Sequence, residues 1–151
     1  MRIEKITDCK KRFLDLLLLA DEQEDMIDRY LERGEMFALF DPDLKSLCVL
    51  TDEGEGMCEL KSLATYERHQ GQGYATRLLE RVFRHYRDRY SDMLVGTGEN
   101  PRILAFYERW GFAFSHRLKN FFTDNYRKPI VEDGVQLTDM ICLKKSLRCG
   151  R

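Results

Sequence analysis

The pattern of hydrophobic and polar positions divides the chain into short strands that alternate with helices. Alternating or continuous short apolar runs predict strands at residues 1–7, 35–41, 46–52, 56–67, 92–99, 112–122 and 137–147. Helical spacing of apolar residues predicts helices at 9–33 (in one or two pieces), 74–90 and 101–111. The turn signal Asp41-Pro42-Asp43 joins two of the strands into a hairpin, and the polar stretch 123–136 separates the last two strands.

This order of elements predicts a mixed α/β or α+β fold. The sheet should be mostly antiparallel, with one strand–helix–strand crossover between residues 56 and 98. A chain of 151 residues with 43% hydrophobic positions can bury one good core, and no repeat or linker divides it. We therefore expect a single domain over residues 1–151.

Composition narrows the function classes. With 25 Lys+Arg against 26 Asp+Glu, the chain lacks the basic surplus that a nucleic-acid partner would require. Five cysteines, at positions 9, 48, 58, 142 and 149, form neither a CxxC pair nor an even set, so we expect no disulfide framework, no metal site and a reducing cytoplasm. The apolar run 13–20 is too short to span a bilayer and is interrupted by Asp15, which predicts a soluble helix and no membrane contact.

Two glycines stand at the mouth of the helix predicted from residue 74. A strand that turns tightly into a helix points backbone N–H groups outward, and Gly71 and Gly73 permit positive φ while leaving room for a ligand. With Arg68 nearby, this is a candidate anion site; the alternative is a plain helix start. A P-loop is excluded because Gly-Lys-Ser/Thr is absent, and a dinucleotide fingerprint is disfavoured because Thr76 stands where a small residue is needed.

The segment RHQGQGYA (68–75) resembles the acyl-CoA pyrophosphate loop of the GNAT superfamily of N-acetyltransferases, whose pattern is Arg/Gln-x-x-Gly-x-Gly/Ala. LKSLAT (60–65) resembles the splayed fourth strand of that family, and NPRILAFYERWGF (100–112) resembles its second conserved block. Residues 119–145 are similar to a subgroup of bacterial members without an assigned substrate. The resemblance implies a sheet of about seven strands with about four helices, and acetyl transfer from acetyl-CoA to a primary amine.

The resemblance also implies which residues bind the donor. Main-chain groups of Leu63 and Thr65 would pair with pantetheine, and Asn100 would hold the CoA arm, although a plain helix N-cap is the alternative for Asn100. The pyrophosphate would be held by Arg68, Gln70, Gly71, Gln72, Gly73, Tyr74 and Ala75.

Two residues are candidates for proton transfer. Glu59 stands four residues before Leu63, where some family members place a catalytic glutamate, and strict alternation would put both on one face of the strand. The alternative is a structural ion pair with Lys61. Tyr107 matches the tyrosine that protonates the leaving thiolate in many members; the alternative is a core aromatic residue. Cys58 is interpreted as buried, not as an acyl-accepting nucleophile.

The acceptor is indicated only by charge. Residues 123–139 carry acids at 124, 132, 133 and 139 against bases at 127 and 128, which favours a small cationic metabolite or antibiotic. A protein or peptide amine, and a catalytically silent acyl-CoA-binding module, are the alternatives. The resemblance leaves a homodimer open.

Overall fold

The computed structural model describes residues 1–148, so Cys149 and the end of the expected 1–151 domain lie outside the described residues. Within that range a seven-stranded sheet has the strand order β1-β2-β3-β4-β5-β9-β6. Its strands are β1 (Arg2–Ile6), β2 (Glu35–Phe40), β3 (Leu44–Gly54), β4 (Met57–Thr65), β5 (Asp92–Gly98), β6 (Ala113–Leu118) and β9 (Met140–Ser146). A separate hairpin consists of β7 (Val131–Glu132) and β8 (Val135–Gln136).

Helices cover both faces of the sheet. They are α1 (Leu14–Ala20), α2 (Glu24–Ile27), α3 (Tyr74–Tyr86), α4 (Pro101–Glu108) and α5 (Phe121–Asn125). The pair β4–β5 is parallel and is joined by α3, whereas the other pairs described are antiparallel. The predicted mostly antiparallel sheet with one crossover is therefore confirmed.

Two hydrophobic clusters hold these layers together. On one face, Leu78 and Val82 of α3 and Tyr107 of α4 are buried against Leu50 and Leu60 of the sheet. On the other face, α1 and α2 contribute Leu16, Leu17 and Ile27, which are buried against Met36, Val49 and Ala64. The helical stripe predicted in 74–90 is thus the buried face of α3, which ends at Tyr86.

The segment between β6 and β9 departs most from the sequence prediction. The strand predicted over 112–122 ends at Leu118, because Asn120 adopts left-handed backbone angles (φ 58°) that turn the chain into α5. The backbone N–H of Asn120 donates to the Asp139 carboxylate (2.8 Å), which fixes this turn. Phe121 and Phe122 accordingly lie in a helix, and the β7–β8 hairpin lies within the polar stretch 123–136.

Candidate active site

The central feature of the site is a split between two parallel strands. Pairing of β4 with β5 ends at Leu60 and Val95, so beyond this point the main chain of β4 has no strand beside it on the β5 side. A β-bulge at Lys61 accompanies the split, because Val49 pairs with Ser62 whereas Leu50 pairs with Leu60. The expectation that Leu63 and Thr65 have free main-chain groups fits this geometry.

A groove with a volume of about 700 Å³ runs through the split. The predicted residues that line it are Leu63, Thr65, Gln70, Gly71, Gly73, Tyr74, Ala75 and Tyr107. The predicted residues outside the lining are Glu59, Arg68, Gln72 and Asn100. The structure thus brings most of the predicted donor-binding segment and Tyr107 to one cavity.

The glycine loop forms one end of the groove. Gly71 and Gly73 have φ of 78° and 89°, and a Cβ at either position would meet no atom within 4 Å. Among the described residues, no backbone N–H from Gly71 to Thr76 has a hydrogen-bond partner, whereas the next N–H, that of Arg77, donates to Gly73 (3.1 Å). Six consecutive donors at the positive end of α3 are the donor set that a pyrophosphate requires.

Side chains around the loop make it more positive. Lys45 and Arg68 both lie within 3.4 Å of the His69 ring nitrogen. Desolvation, followed by the charges of Lys45 and Arg68, lowers the pKa of His69, so this imidazole is neutral at pH 7 and accepts from its neighbours. Gln72 is exposed and donates to the Arg68 carbonyl (3.5 Å), which anchors the loop from outside the groove.

Tyr107 is buried in α4 with its ring against Phe106 and Phe112. Its hydroxyl forms no hydrogen bond with any described residue, and the side chain lines the groove. Burial raises the pKa of this phenol, so it keeps its proton through the physiological range. The residue therefore belongs to the core and to the groove at once, and its hydroxyl is free for a ligand.

Glu59 lies elsewhere than strict alternation predicts. It pairs with Thr51, on the opposite face from Leu63, because the Lys61 bulge shifts the alternation between them. The same shift puts Leu60 and Ala64, four residues apart, in different hydrophobic clusters. The single-face expectation was wrong for this reason. The Glu59 carboxylate lies 3.2 Å from the Lys61 ammonium, the alternative that the sequence left open.

Asn100 is buried and acts as the N-cap of α4. Its side-chain oxygen accepts from the N–H of Arg102 (3.0 Å), and its amide donates to Glu132 (3.2 Å) and Asp133 (3.0 Å). These contacts tie α4 to the β7–β8 hairpin beside the groove. Its role at the CoA arm stays a prediction.

The groove also contains a carboxylate that the sequence analysis missed. Asp21, at the end of α1, accepts hydrogen bonds from the hydroxyls of Tyr30 (3.1 Å) and Tyr126 (2.7 Å) and lines the groove. Desolvation raises its pKa against the opposing effect of these bonds. The sequence offered no local signal, because the two tyrosines are 9 and 105 residues away along the chain.

Two of the four acids counted in 123–139 form ion pairs with arginines. Asp133 pairs with Arg102 (3.1 Å) and Asp139 with Arg117 (2.8 Å), while Asp124 lies outside the groove. Of the acids counted in 123–139, Glu132 is the one that lines the groove. The excess of acidic residues that the sequence shows in 123–139 therefore contributes one carboxylate to the groove lining.

Comparisons with known proteins identify the architecture. Residues 8–112 match the family model described as the acetyltransferase (GNAT) family. The chain is 32% identical over 146 residues to YvbK, an uncharacterized N-acetyltransferase of Bacillus subtilis (strain 168), covering 95% of this chain and 94% of that protein. The split sheet with its glycine loop thus defines an acetyltransferase, and the chain belongs to the GNAT family.

Solved structures agree over nearly the full length. A GNAT family acetyltransferase from Elizabethkingia anophelis with acetyl-CoA bound has a TM-score of 0.90 and 34% identity, with 96% of this chain and 97% of that chain covered. A Bacillus subtilis acetyltransferase in complex with CoA has a TM-score of 0.85 and 30% identity, with 96% and 97% covered. The protein is accordingly an acetyl-CoA-dependent N-acetyltransferase. Within residues 1–148, no helix is long and apolar enough to cross a membrane.

Proposed function

We propose that the protein transfers the acetyl group of acetyl-CoA to the primary amine of a small molecule by direct attack. The observation behind this proposal is the continuity of the groove, which extends from the glycine loop through the strand split to the carboxylate Asp21. The thioester and the amine can therefore meet inside one cavity, between Tyr107 and Asp21.

In this reaction the amine nitrogen attacks the thioester carbonyl, an N–C bond forms and the C–S bond breaks. The backbone N–H groups of 71–76 would hold the pyrophosphate, and the free main-chain groups of Leu63 and Thr65 would bind pantetheine. The Tyr107 hydroxyl would give its proton to the departing thiolate. Glu59 stays a candidate for accepting the amine proton, provided that its ion pair with Lys61 breaks.

The test is release of CoA thiol from acetyl-CoA against a panel of monoamines, polyamines, aminoglycosides, amino acids and lysine peptides. Turnover on one class of small amine, with a reduced rate in Tyr107→Phe, is the expected result. Turnover confined to lysine peptides would contradict the small-molecule acceptor and favour a protein substrate.

Acetyl-CoA binding by calorimetry without thiol release on any amine would contradict the proposal and indicate a silent acyl-CoA-binding module. In such a module the Glu59–Lys61 ion pair would leave the predicted base occupied.

A further inference from the structure

The acceptor end of the groove contains an anionic site without a cation. Asp21 accepts from two phenol hydroxyls, and within residues 1–148 it forms no salt bridge. Arg29 is close enough to affect the Asp21 carboxyl electrostatically, but its guanidinium donates to the side chain of Asn125 (3.3 Å). A half-buried carboxylate that lacks a cation is costly, and a ligand ammonium would compensate it.

A second polar group beside this carboxylate also lacks a partner. Ser62 is 4% exposed, and its hydroxyl is the one buried side-chain oxygen of the described residues that forms no hydrogen bond. It lies next to Tyr30, whose hydroxyl donates a hydrogen bond to Asp21, and Ser62 lines the groove. When a ligand ammonium binds the Asp21 carboxylate, the Tyr30 hydroxyl can donate its hydrogen bond to the Ser62 oxygen instead. Buried hydroxyls are rarely left unpaired in a finished protein interior.

Apolar side chains form the walls next to these groups. Leu19 of α1, Phe122 of α5, and Ile130, Leu137 and Met140 line the same groove, and Phe122 also packs against the ring of Tyr126. Several acidic groups spaced along the cavity would suit a polyamine. Three carboxylates line the groove, those of Asp21, Glu22 and Glu132, but Glu22 is exposed. Three basic side chains, those of Lys61, Arg102 and Arg109, line the same cavity, so the lining as a whole has no excess of acidic groups. The surroundings suit one positive charge attached to an apolar body.

We infer that Asp21, with Tyr30, Tyr126 and Ser62, is the binding site for the ammonium group of the acceptor, and that this acceptor is a monoamine with an apolar or aromatic body. The inference rests on the proposed function, whose acceptor class it narrows. Asp21 is assigned to amine binding. The residue that removes the amine proton is a separate question.

The experiment compares 2-phenylethylamine and hexylamine with spermidine and an aminoglycoside as acceptors, in wild type, Asp21→Asn, Ser62→Ala and Asp124→Asn. We expect kcat/KM to be at least about 10-fold higher for the monoamines than for the polycations. In Asp21→Asn the KM for monoamines should rise about 20-fold or more, while the Kd of acetyl-CoA stays within about twofold. Ser62→Ala, which removes no hydrogen bond, should raise that KM about threefold.

Asp124→Asn is the matched control, because it removes the same charge from an exposed position outside the groove. It should leave the amine KM unchanged. Amines that are acetylated with the same KM in Asp21→Asn would overturn the inference and leave the proposed function standing, and so would a preference for spermidine.

If no amine is acetylated although acetyl-CoA binds, the proposed function fails, and calorimetry of 2-phenylethylamine with the CoA-loaded protein decides the inference separately. Binding that Asp21→Asn and Ser62→Ala both weaken supports it, with 2-phenylethanol as the uncharged analogue that does not bind. Absence of amine binding overturns it.

Discussion

The two ends of the groove are built by different means. The glycine-loop end is formed by one continuous segment, 71–76, that presents backbone N–H groups at the start of a 13-residue helix. The Asp21 end is formed by side chains from α1, the segment after α2, β4 and α5. Main-chain donors serve any ligand with a pyrophosphate, whereas the set of side chains at the other end is particular to this sequence.

This difference between the two ends explains why the donor, acetyl-CoA, is identified whereas the acceptor amine is proposed. A site made of backbone needs only glycine at two positions and a helix start, so it can be recognised from a short motif. A site made of distant side chains depends on how the whole chain packs. The donor end should therefore be sensitive to backbone changes and the acceptor end to side-chain chemistry.

The largest expected effect is at the loop. Gly71→Ala and Gly73→Ala introduce a Cβ at positive φ, in open space where the proposed function would place the pyrophosphate. We therefore expect the Kd of acetyl-CoA to rise about 50-fold or more. Gly54→Ala is the matched control, because Gly54 has φ 84° and equally open space at the end of β3. Gly54→Ala should lower the free energy of unfolding by a similar amount and leave the Kd of acetyl-CoA unchanged. Equal affinity losses at Gly54 and Gly73 would mean that strain alone explains the effect.

The second-largest effect is expected at Tyr107, which lines the groove. Tyr107→Phe removes a hydroxyl that has no partner among the described residues and leaves the buried ring in place. We expect kcat to fall about 10- to 100-fold with little change in stability or acetyl-CoA affinity. Steady-state kinetics and calorimetry on the same preparation check this. A lower melting temperature with unchanged kcat would assign Tyr107 to the core alone.

The acceptor-end carboxyl can be compared with a structural carboxyl, Glu35. Although burial opposes it, hydrogen bonds from Tyr86 and Lys5 and the charge of Arg89 lower the pKa of Glu35 from 4.5 to about 2. A lowered folded-state pKa contributes stability that is present above pH 4.5 and is lost as the pH falls toward 2. Glu35→Gln should therefore lower the free energy of unfolding at pH 7 by about 2 kcal/mol, and by less at pH 3.

The pKa of Asp21 is shifted in the opposite direction from that of Glu35. Its pKa is raised from 3.8, so its contribution to stability is present below that value and is lost as the pH rises through the folded-state pKa. Asp21→Asn should leave stability at pH 7 unchanged or higher, measured by denaturant unfolding at pH 3 and pH 7. Destabilisation of Asp21→Asn comparable to that of Glu35→Gln would make Asp21 a structural carboxylate.

The sequence predicted the parts of the site that depend on local pattern. The element order, the crossover and the glycine loop follow from periodicity and turn residues, and the pairing of Glu59 with Lys61 was one of two alternatives. The bulge at Lys61 has no sequence signature, because LKSLAT continues an ordinary strand pattern through it. The cluster at Asp21 depends on contacts across 9 and 105 residues, which no local pattern encodes.

The smallest expected effect is at Glu59, and it tests where the groove ends. Its side chain is 20% exposed, paired with Lys61 and outside the groove lining. If this pairing persists during the reaction, Glu59→Gln should change kcat less than about threefold and leave the pH profile unchanged. Lys61→Met is the informative partner variant, because it frees Glu59 without removing it. A rise in kcat in Lys61→Met together with a fall of more than about 10-fold in Glu59→Gln would make Glu59 the general base. The reactive part of the groove would then lie on the face of β4 that Glu59 shares with Ser62 and Ala64.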